Sequence, residues 1–333
     1  MKSFLTLISI ENSKMWKRTS TKVMFFIMIF LVLAASCLLR YYQYYKNVDV
    51  HATPSVSTTW KTEVEQETQG LKVQIKQIEN GKDNESQRSV LGSLKKSLAE
   101  DEYRLANNIA EAKPNSIWTK VSDFSQSGSY GALIALLLII ACAASVAGEF
   151  SEGTIKMAIS RPYYRREILT AKLIVSLLYG LELLVTVFVV QSAIFAAFYG
   201  LPGIGAKEMM WTTGKIVYIP AVLKALCLYG LDFLTVIFYT VLAFTLSAIT
   251  RSRSIATGFS LFMLLLGSSL AQMAAVFFTW AKYFPFTMTG FSSMVTKGVV
   301  LEGTTLPMAL LVSGIYTVVI AAVGYVVFQK RDI

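Results

Sequence analysis

The chain has 333 residues, 54% hydrophobic and only 16% charged, with a formal net charge of +10. That balance leaves too few charges to cover soluble domains and points to the bilayer as solvent. The positive excess is spread over short segments between apolar runs, which argues against nucleic acid as a partner.

Residues 3–18 alternate Phe4, Leu5, Leu7, Ile8, Met15 and Trp16 with Ser9, Glu11, Asn12, Lys14 and Lys17. That pattern suits a helix lying in a membrane interface, with a short solvated tail as the plainer alternative. Val23–Leu39 follows as the first apolar run fit to cross a bilayer. Ala34-Ala35-Ser36-Cys37 resembles a lipoprotein cleavage site. The long segment before the run and the apolar Leu38 and Leu39 after the cysteine favour an uncleaved helix. Tyr41, Tyr42, Tyr44 and Tyr45 then mark the far interface as an aromatic belt.

From Lys46 to Gln126 the composition becomes that of a soluble helical segment. Trp60, Val64, Leu71, Ile75 and Ile78 fall on one helix face, and Leu91, Leu94, Leu98, Leu105 and Ile109 on another. Asn80-Gly81-Lys82-Asp83-Asn84 separates them as a turn, which predicts a helical hairpin reaching about 30 Å from the membrane. Pro114-Asn115 is expected to end its second helix, and Ile117, Trp118, Val121 and Phe124 to pack on the membrane surface. The hairpin reads equally as a spacer or dimer contact and as a device for substrate capture.

Five further apolar runs complete a set of six: Tyr130–Ala147, Ile168–Tyr199, Ile216–Ile249, Ile255–Trp280 and Leu306–Phe328. The third and fourth runs of the six exceed a simple crossing, so tilted, broken or protruding helices are expected. The loop 282–305, with Pro285, Gly290, Gly298 and Gly303, is expected to hold short helices that dip into the outer leaflet. Fourteen Lys and Arg in the N-terminal segment, the loops 148–172 and 251–253 and the C-terminus lie on one side, against Lys207, Lys215, Lys282 and Lys297 in the short opposite loops. By the positive-inside rule both termini are cytoplasmic. The expected class is an all-α integral membrane protein of the cell membrane, with six spans and an extracytoplasmic hairpin between the first two. Its parts are 1–45, the interfacial helix and first span; 46–126, the hairpin domain; and 127–333, a five-span domain with a cytoplasmic loop at 149–166.

Cys37, Cys142 and Cys227 all fall within spans, and the lone histidine, His51, sits in a Thr/Ser/Pro-rich loop, so no disulfide framework or metal cluster is expected. Two carboxylates lie inside spans, Glu182 and Asp232. Charges there face a cavity or a partner. They read either as a polar patch on a transport path or as structural pairs between helices, Glu182 with Lys224 for example.

The most informative segment is Gly148-Glu149-Phe150-Ser151-Glu152-Gly153-Thr154-Ile155-Lys156, followed by Arg161-Pro162 and by Lys172 at the opening of the next helix. Acidic residues at the inner end of a span, a Gly-Thr break and a short piece closed by Arg-Pro build a compact projection able to dock a cytoplasmic partner. This arrangement resembles the type-2 family of ABC transporter permeases. The C-terminal Phe328-x-x-Arg331-Asp332-Ile333 is similar to the ending of many of its members. The resemblance implies that Glu149, Glu152, Gly153, Thr154, Arg161 and Pro162 contact a separate ATPase subunit, which binds ATP and magnesium. It also implies that two permease chains, identical or related, line one path. The hairpin at 46–126 departs from the compact members. Neither Gly81-Lys82-Asp83 nor Gly214-Lys215-Ile216 fits the Gly-x-x-x-x-Gly-Lys-Ser/Thr loop that cradles phosphates, so the chain is not expected to be an enzyme. The expected function is the membrane subunit of an ATP-driven exporter of hydrophobic or amphiphilic substrates. The alternative is a sensor of envelope stress or antimicrobial compounds that uses the hairpin as receptor.

Overall fold

A computed structural model describes residues 2–46, 59–80, 85–110, 114–128, 130–151, 153, 163–212, 215–298 and 304–330. The helices are α1 (Lys2–Lys17), α2 (Thr19–Tyr45), α3 (Trp60–Asn80), α4 (Glu85–Asn107), α5 (Ile117–Gly128), α6 (Tyr130–Ser151), α7 (Arg165–Tyr199), α8 (Ala221–Thr250), α9 (Arg253–Phe277), α10 (Phe291–Thr296) and α11 (Leu306–Lys330). Six of them, α2, α6, α7, α8, α9 and α11, are long and apolar enough to cross a membrane. The chain is a multi-pass membrane protein.

Helix α6 is the axis of the bundle: Ile134, Leu138, Ile139 and Cys142 are fully buried on it, with α7, α8 and α9 packed around. Small residues let the backbones approach, as packing in lipid requires. A Cβ placed on Gly180 of α7 would lie 2.7 Å from the Leu138 side chain, and one on Gly324 of α11 would lie 2.8 Å from the Thr245 hydroxyl. Helices α2, α9 and α11 instead turn Phe26, Phe30, Leu265, Met273, Leu311 and Val318 outward. Apolar side chains exposed along whole helices are stable only against lipid tails or another apolar surface.

The backbone is not wholly helical. Lys207–Thr212 (β1) pairs antiparallel with Lys215–Pro220 (β2), a short two-stranded addition to an otherwise helical membrane protein. The expected span from Ile216 begins instead with a strand, and its helix starts at Ala221. Ile216, Val217, Tyr218 and Ile219 are β-branched or aromatic, and a short apolar run of that kind suits either state. The other long run is one unbroken helix of 35 residues, α7, about 52 Å long against a hydrocarbon core of about 30 Å.

Helices α3 and α4 pack on each other within the segment expected to form a hairpin, with Val64, Ile75 and Leu91 buried and Lys72–Glu102 and Lys95–Glu79 ion pairs of 2.8 Å between them. The expected turn, residues 81–84, lies outside the described residues. Helix α4 ends at Asn107, seven residues short of Pro114, because Asn108 adopts a left-handed φ of 54° that asparagine tolerates. The hairpin is seated on the bundle. Gly298, at φ 89°, meets α4 so closely that a Cβ there would lie 2.7 Å from the Gly92 carbonyl oxygen.

Helix α5 belongs with the spans and not with the hairpin. Ile117 and Val121 are buried, Trp118 stacks on Phe188 of α7 at 6.1 Å, and Phe124 meets Phe195 edge-on at 5.3 Å. It therefore packs on protein where the membrane surface was expected. The loop after α9 does hold short helices: two 3-10 turns, Thr279–Tyr283 and Pro285–Thr287, then α10. Phe286 plugs this loop into the bundle against Phe238 and Tyr239.

Candidate functional site

The strongest concentration of charge lies where α1, the end of α6 and the start of α7 meet. Lys172 Nζ donates to Glu149 Oε1 at 2.6 Å, to Glu11 Oε2 at 2.8 Å and to the Ser145 carbonyl at 3.4 Å. Lys14 pairs with Glu11 at 2.6 Å and approaches Glu149 at 3.7 Å. Glu11, Glu149 and Lys172 are each no more than 6% exposed, so these charges persist only as a neutral quartet of two acids and two bases. Burial pushes the Glu11 carboxyl up, but the Lys172 and Lys14 ammoniums together outweigh it and hold the group below the usual carboxylate range.

Helix α1 reaches this position because its apolar face has a partner. Leu7 is buried against Ile168 and Ala171, and Trp16 packs edge-on against Tyr179 at 5.8 Å. The Tyr179 hydroxyl donates to the Thr21 carbonyl at 2.9 Å, across the bend that an extended Arg18 makes between α1 and α2. Thus α1 lies along the first turns of α7, and the ion pairs tie α1, α6 and α7 together.

Other cations and aromatics close on the same end of α6. The Arg251 guanidinium sits 5.0 Å over the Phe150 ring, and Phe150 meets Phe328 edge-on at 6.2 Å. Arg253 covers Gly148 so tightly that a Cβ there would lie 2.6 Å from its guanidinium. Ser247 accepts from the Ala147 amide at 2.9 Å and donates to the Ala143 carbonyl at 3.2 Å, inserting a hydroxyl into the helical ladder. Positive groups suit the partial negative charge of a helix C-terminus. The basic residues that set the charge asymmetry in the sequence are therefore partly spent on holding the end of α6.

Of the six residues proposed to contact an ATPase, Glu149 ends in this cluster with its side chain turned inward. Gly153 follows in a turn with φ 69°, a left-handed conformation that suits glycine. Glu152, Thr154, Arg161 and Pro162 lie outside the described residues, as does His51. Glu11 and Lys14 carry the only advance signal for the quartet, an acid and a base three residues apart on one helix. Their partners are 135 to 161 residues away, beyond any local pattern.

The suggested pairing of Glu182 with Lys224 does not form. Glu182 accepts from Trp16 Nε1 at 3.1 Å, and Lys224 pairs with Glu208 at 2.6 Å. Glu208, 2% exposed on β1, also accepts from Thr119 of α5 at 3.2 Å. Strand β1, unforeseen in the sequence, is what carries the partner. Asp232 accepts a hydrogen bond from Ser292 of α10 and packs on Gly131, where a Cβ would lie 3.1 Å from its carboxyl carbon. The two span carboxylates thus have separate partners. No group of three His, Cys, Asp or Glu among the described residues is placed to hold a metal.

Residues 92–333 match the model of a family described as a protein of unknown function, DUF2705. The chain belongs to that family. The DUF2705 match runs from within α4 through α11 and so takes in Glu149 and Lys172, while Glu11 and Lys14 precede it. The chain is also similar to "Uncharacterized protein YhcI" of Bacillus subtilis (strain 168), 28% identical over 331 residues, which is 99% of either chain.

Proposed function

We propose that the chain is the permease subunit of an ATP-driven exporter, acting with a separate nucleotide-binding subunit and a second permease copy. The observation that carries this reading is the quartet that clamps α1, α6 and α7 immediately before the Glu152-Gly153-Thr154 segment. A partner that presses on residues 152–162 would push against a rigid three-helix end rather than a loose loop. Closure of the partner around ATP and magnesium then tilts α6, the axis of the bundle, and α8 and α9 follow through their packing. Hydrophobic or amphiphilic cargo leaves along the surface between the two copies. The positive-inside asymmetry places this end in the cytoplasm and the hairpin outside the cell membrane.

Glu152→Arg tests the assignment, since Glu152 opens the segment proposed to dock the ATPase. Co-purification with a candidate ATPase and its ATP turnover should both fall. Unchanged assembly and turnover would reject the docking role of the loop.

A second reading, sensing without transport, is favoured by one feature. A cavity of about 130 Å³ lies beneath α4, lined by Lys96, Asp101 and Arg104 from the hairpin and by Glu208 and Lys224 below it. A receptor of this kind would retain its response with a catalytically dead ATPase, whereas an exporter would lose it.

A further inference from the structure

We infer that the bundle contains a binding site for an uncharged amphiphile with a hydrogen-bonding head, such as a hydroxyl-headed lipid. The site is a cavity of about 220 Å³ between α6, α8, α9 and the loop before α11. Thr235 lies about 21 Å along α8 from Ala221, and Gln272 about 28 Å along α9 from Arg253. Both distances put the cavity within the spans, toward the hairpin side.

Its chemistry selects the head group. Ser268, Gln272, Thr235, Tyr239, Thr289 and Ser293 line it, and among the described residues no Asp, Glu, Lys, Arg or His does. A charged head would enter a low-dielectric space without a counter-ion, which is unfavourable. A neutral hydroxyl or amide head would find donors and acceptors there. Some lining groups are already engaged: Thr235 donates to the Thr289 carbonyl at 2.6 Å, and the Tyr239 and Thr289 hydroxyls lie 3.3 Å apart. Ser268 and Gln272 differ. They stand one turn apart on a membrane-spanning helix, half-buried and facing the cavity, and their side chains have no hydrogen-bond partner among the described residues. An amide without a partner inside a span is unfavourable, and a ligand head would satisfy it.

The tail has a path as well. Phe262, Leu265, Leu270 and Met273 are exposed on α9 beside the two polar residues, so an acyl chain can lie along the helix while its head enters the cavity. Apolar Leu264, Phe286 and Met294 complete the lining, in keeping with pockets that are mostly apolar and carry a few polar anchors. That this site meets exported cargo rests on the permease reading. That it binds such a molecule does not.

The test is photolabelling of the purified full chain in phosphatidylcholine nanodiscs. The probe is diacylglycerol with a photoreactive acyl chain, and the comparator is phosphatidic acid with the same chains. Diacylglycerol adducts should map to residues 262–275 or 284–296. Labelling should fall roughly five-fold in Gln272→Leu, the change expected from one ordinary hydrogen bond. Ala132→Leu, which fills the cavity from α6, should lower it at least as much. Gln272→Leu removes a polar group from a span, so folding is expected to survive. Phe30→Ala, on the outward face of α2 and away from the cavity and the tail path, should label like the parent. Phosphatidic acid labelling equal to or stronger than diacylglycerol, or labelling indifferent to both cavity variants, would overturn the assignment. No ATPase is present, so a negative result here leaves the permease reading standing, and failure to bind an ATPase leaves this one standing.

Discussion

Lys172, at 4% exposure, is enclosed by two carboxylates and a helix-end carbonyl. Removing one member of such a set strands the others in a dry environment. Lys172→Met should cost about 3–5 kcal/mol, read as a lower thermal midpoint in detergent. Adding Glu149→Gln to it should recover part of the loss, because less uncompensated charge remains. Acid should act in opposite senses on the two ends of the molecule. The Glu11 carboxyl is held below its ordinary value, so its stabilising contribution is complete above about pH 4.5 and disappears as pH falls through the lowered folded value. On the hairpin, burial and the nearby Glu67 carboxylate raise Asp101, against the opposing pull of Arg104. Its contribution is complete below the ordinary aspartate range and is lost as pH rises through the raised value. Hydrogen exchange between pH 7 and pH 3 should therefore show α1 loosening while the α3–α4 contact tightens. Loosening of both in parallel would contradict these electrostatics.

Among elements, the hairpin owes its seat to Gly298. An alanine there would have to adopt a positive φ and would press its Cβ into the Gly92 carbonyl, a rigid backbone atom. Gly298→Ala should lift α4 from the bundle and cost about 2 kcal/mol or more, visible as faster proteolysis between residues 85 and 107. Gly70, in the middle of α3, has open space where a Cβ would stand, with nothing within 4 Å, so the same change there should stabilise the hairpin by up to about 1 kcal/mol. The contrast separates a glycine required by a close approach from one that merely weakens a helix. Helix α5 makes the same point about context. Its amphipathic pattern promised an apolar surface to lie on, but only the packed bundle supplies that surface, in Phe188 and Phe195 of α7.

For the whole molecule, the proposed orientation gives a direct topological prediction. In a background with Cys37, Cys142 and Cys227 replaced, Asn80→Cys should react with a membrane-impermeant maleimide in intact cells. Lys17→Cys should react only after permeabilisation. The reverse pattern would place the hairpin in the cytoplasm and remove the proposed docking surface from ATP. The outward apolar faces of α2, α9 and α11 also predict that the chain leaves the membrane only with detergent bound to those three helices.

The candidate spans, their number and the helices α3 and α4 were legible in the sequence because each depends on residues near one another in the chain: apolar runs and periodic faces. The same locality explains what was misread. The run from Ile216 to Ile249 gave no local sign that its first residues pair with β1 as a strand, since β-branched and aromatic side chains satisfy either state. At the candidate site, Glu149 and Lys172 were visible as charged residues flanking a distinctive loop. Their union with Glu11, the partnership of Glu182 with Trp16 and that of Lys224 with Glu208 were not. An ion pair inside a bundle depends on which helix faces meet, and that is set by the packing of small residues against bulky ones across the whole chain. By itself the sequence determined that this protein lives in a membrane and where its chain crosses. Tertiary structure alone decided which of its charges are neutralised, because only burial makes an unpaired charge costly enough to select its partner.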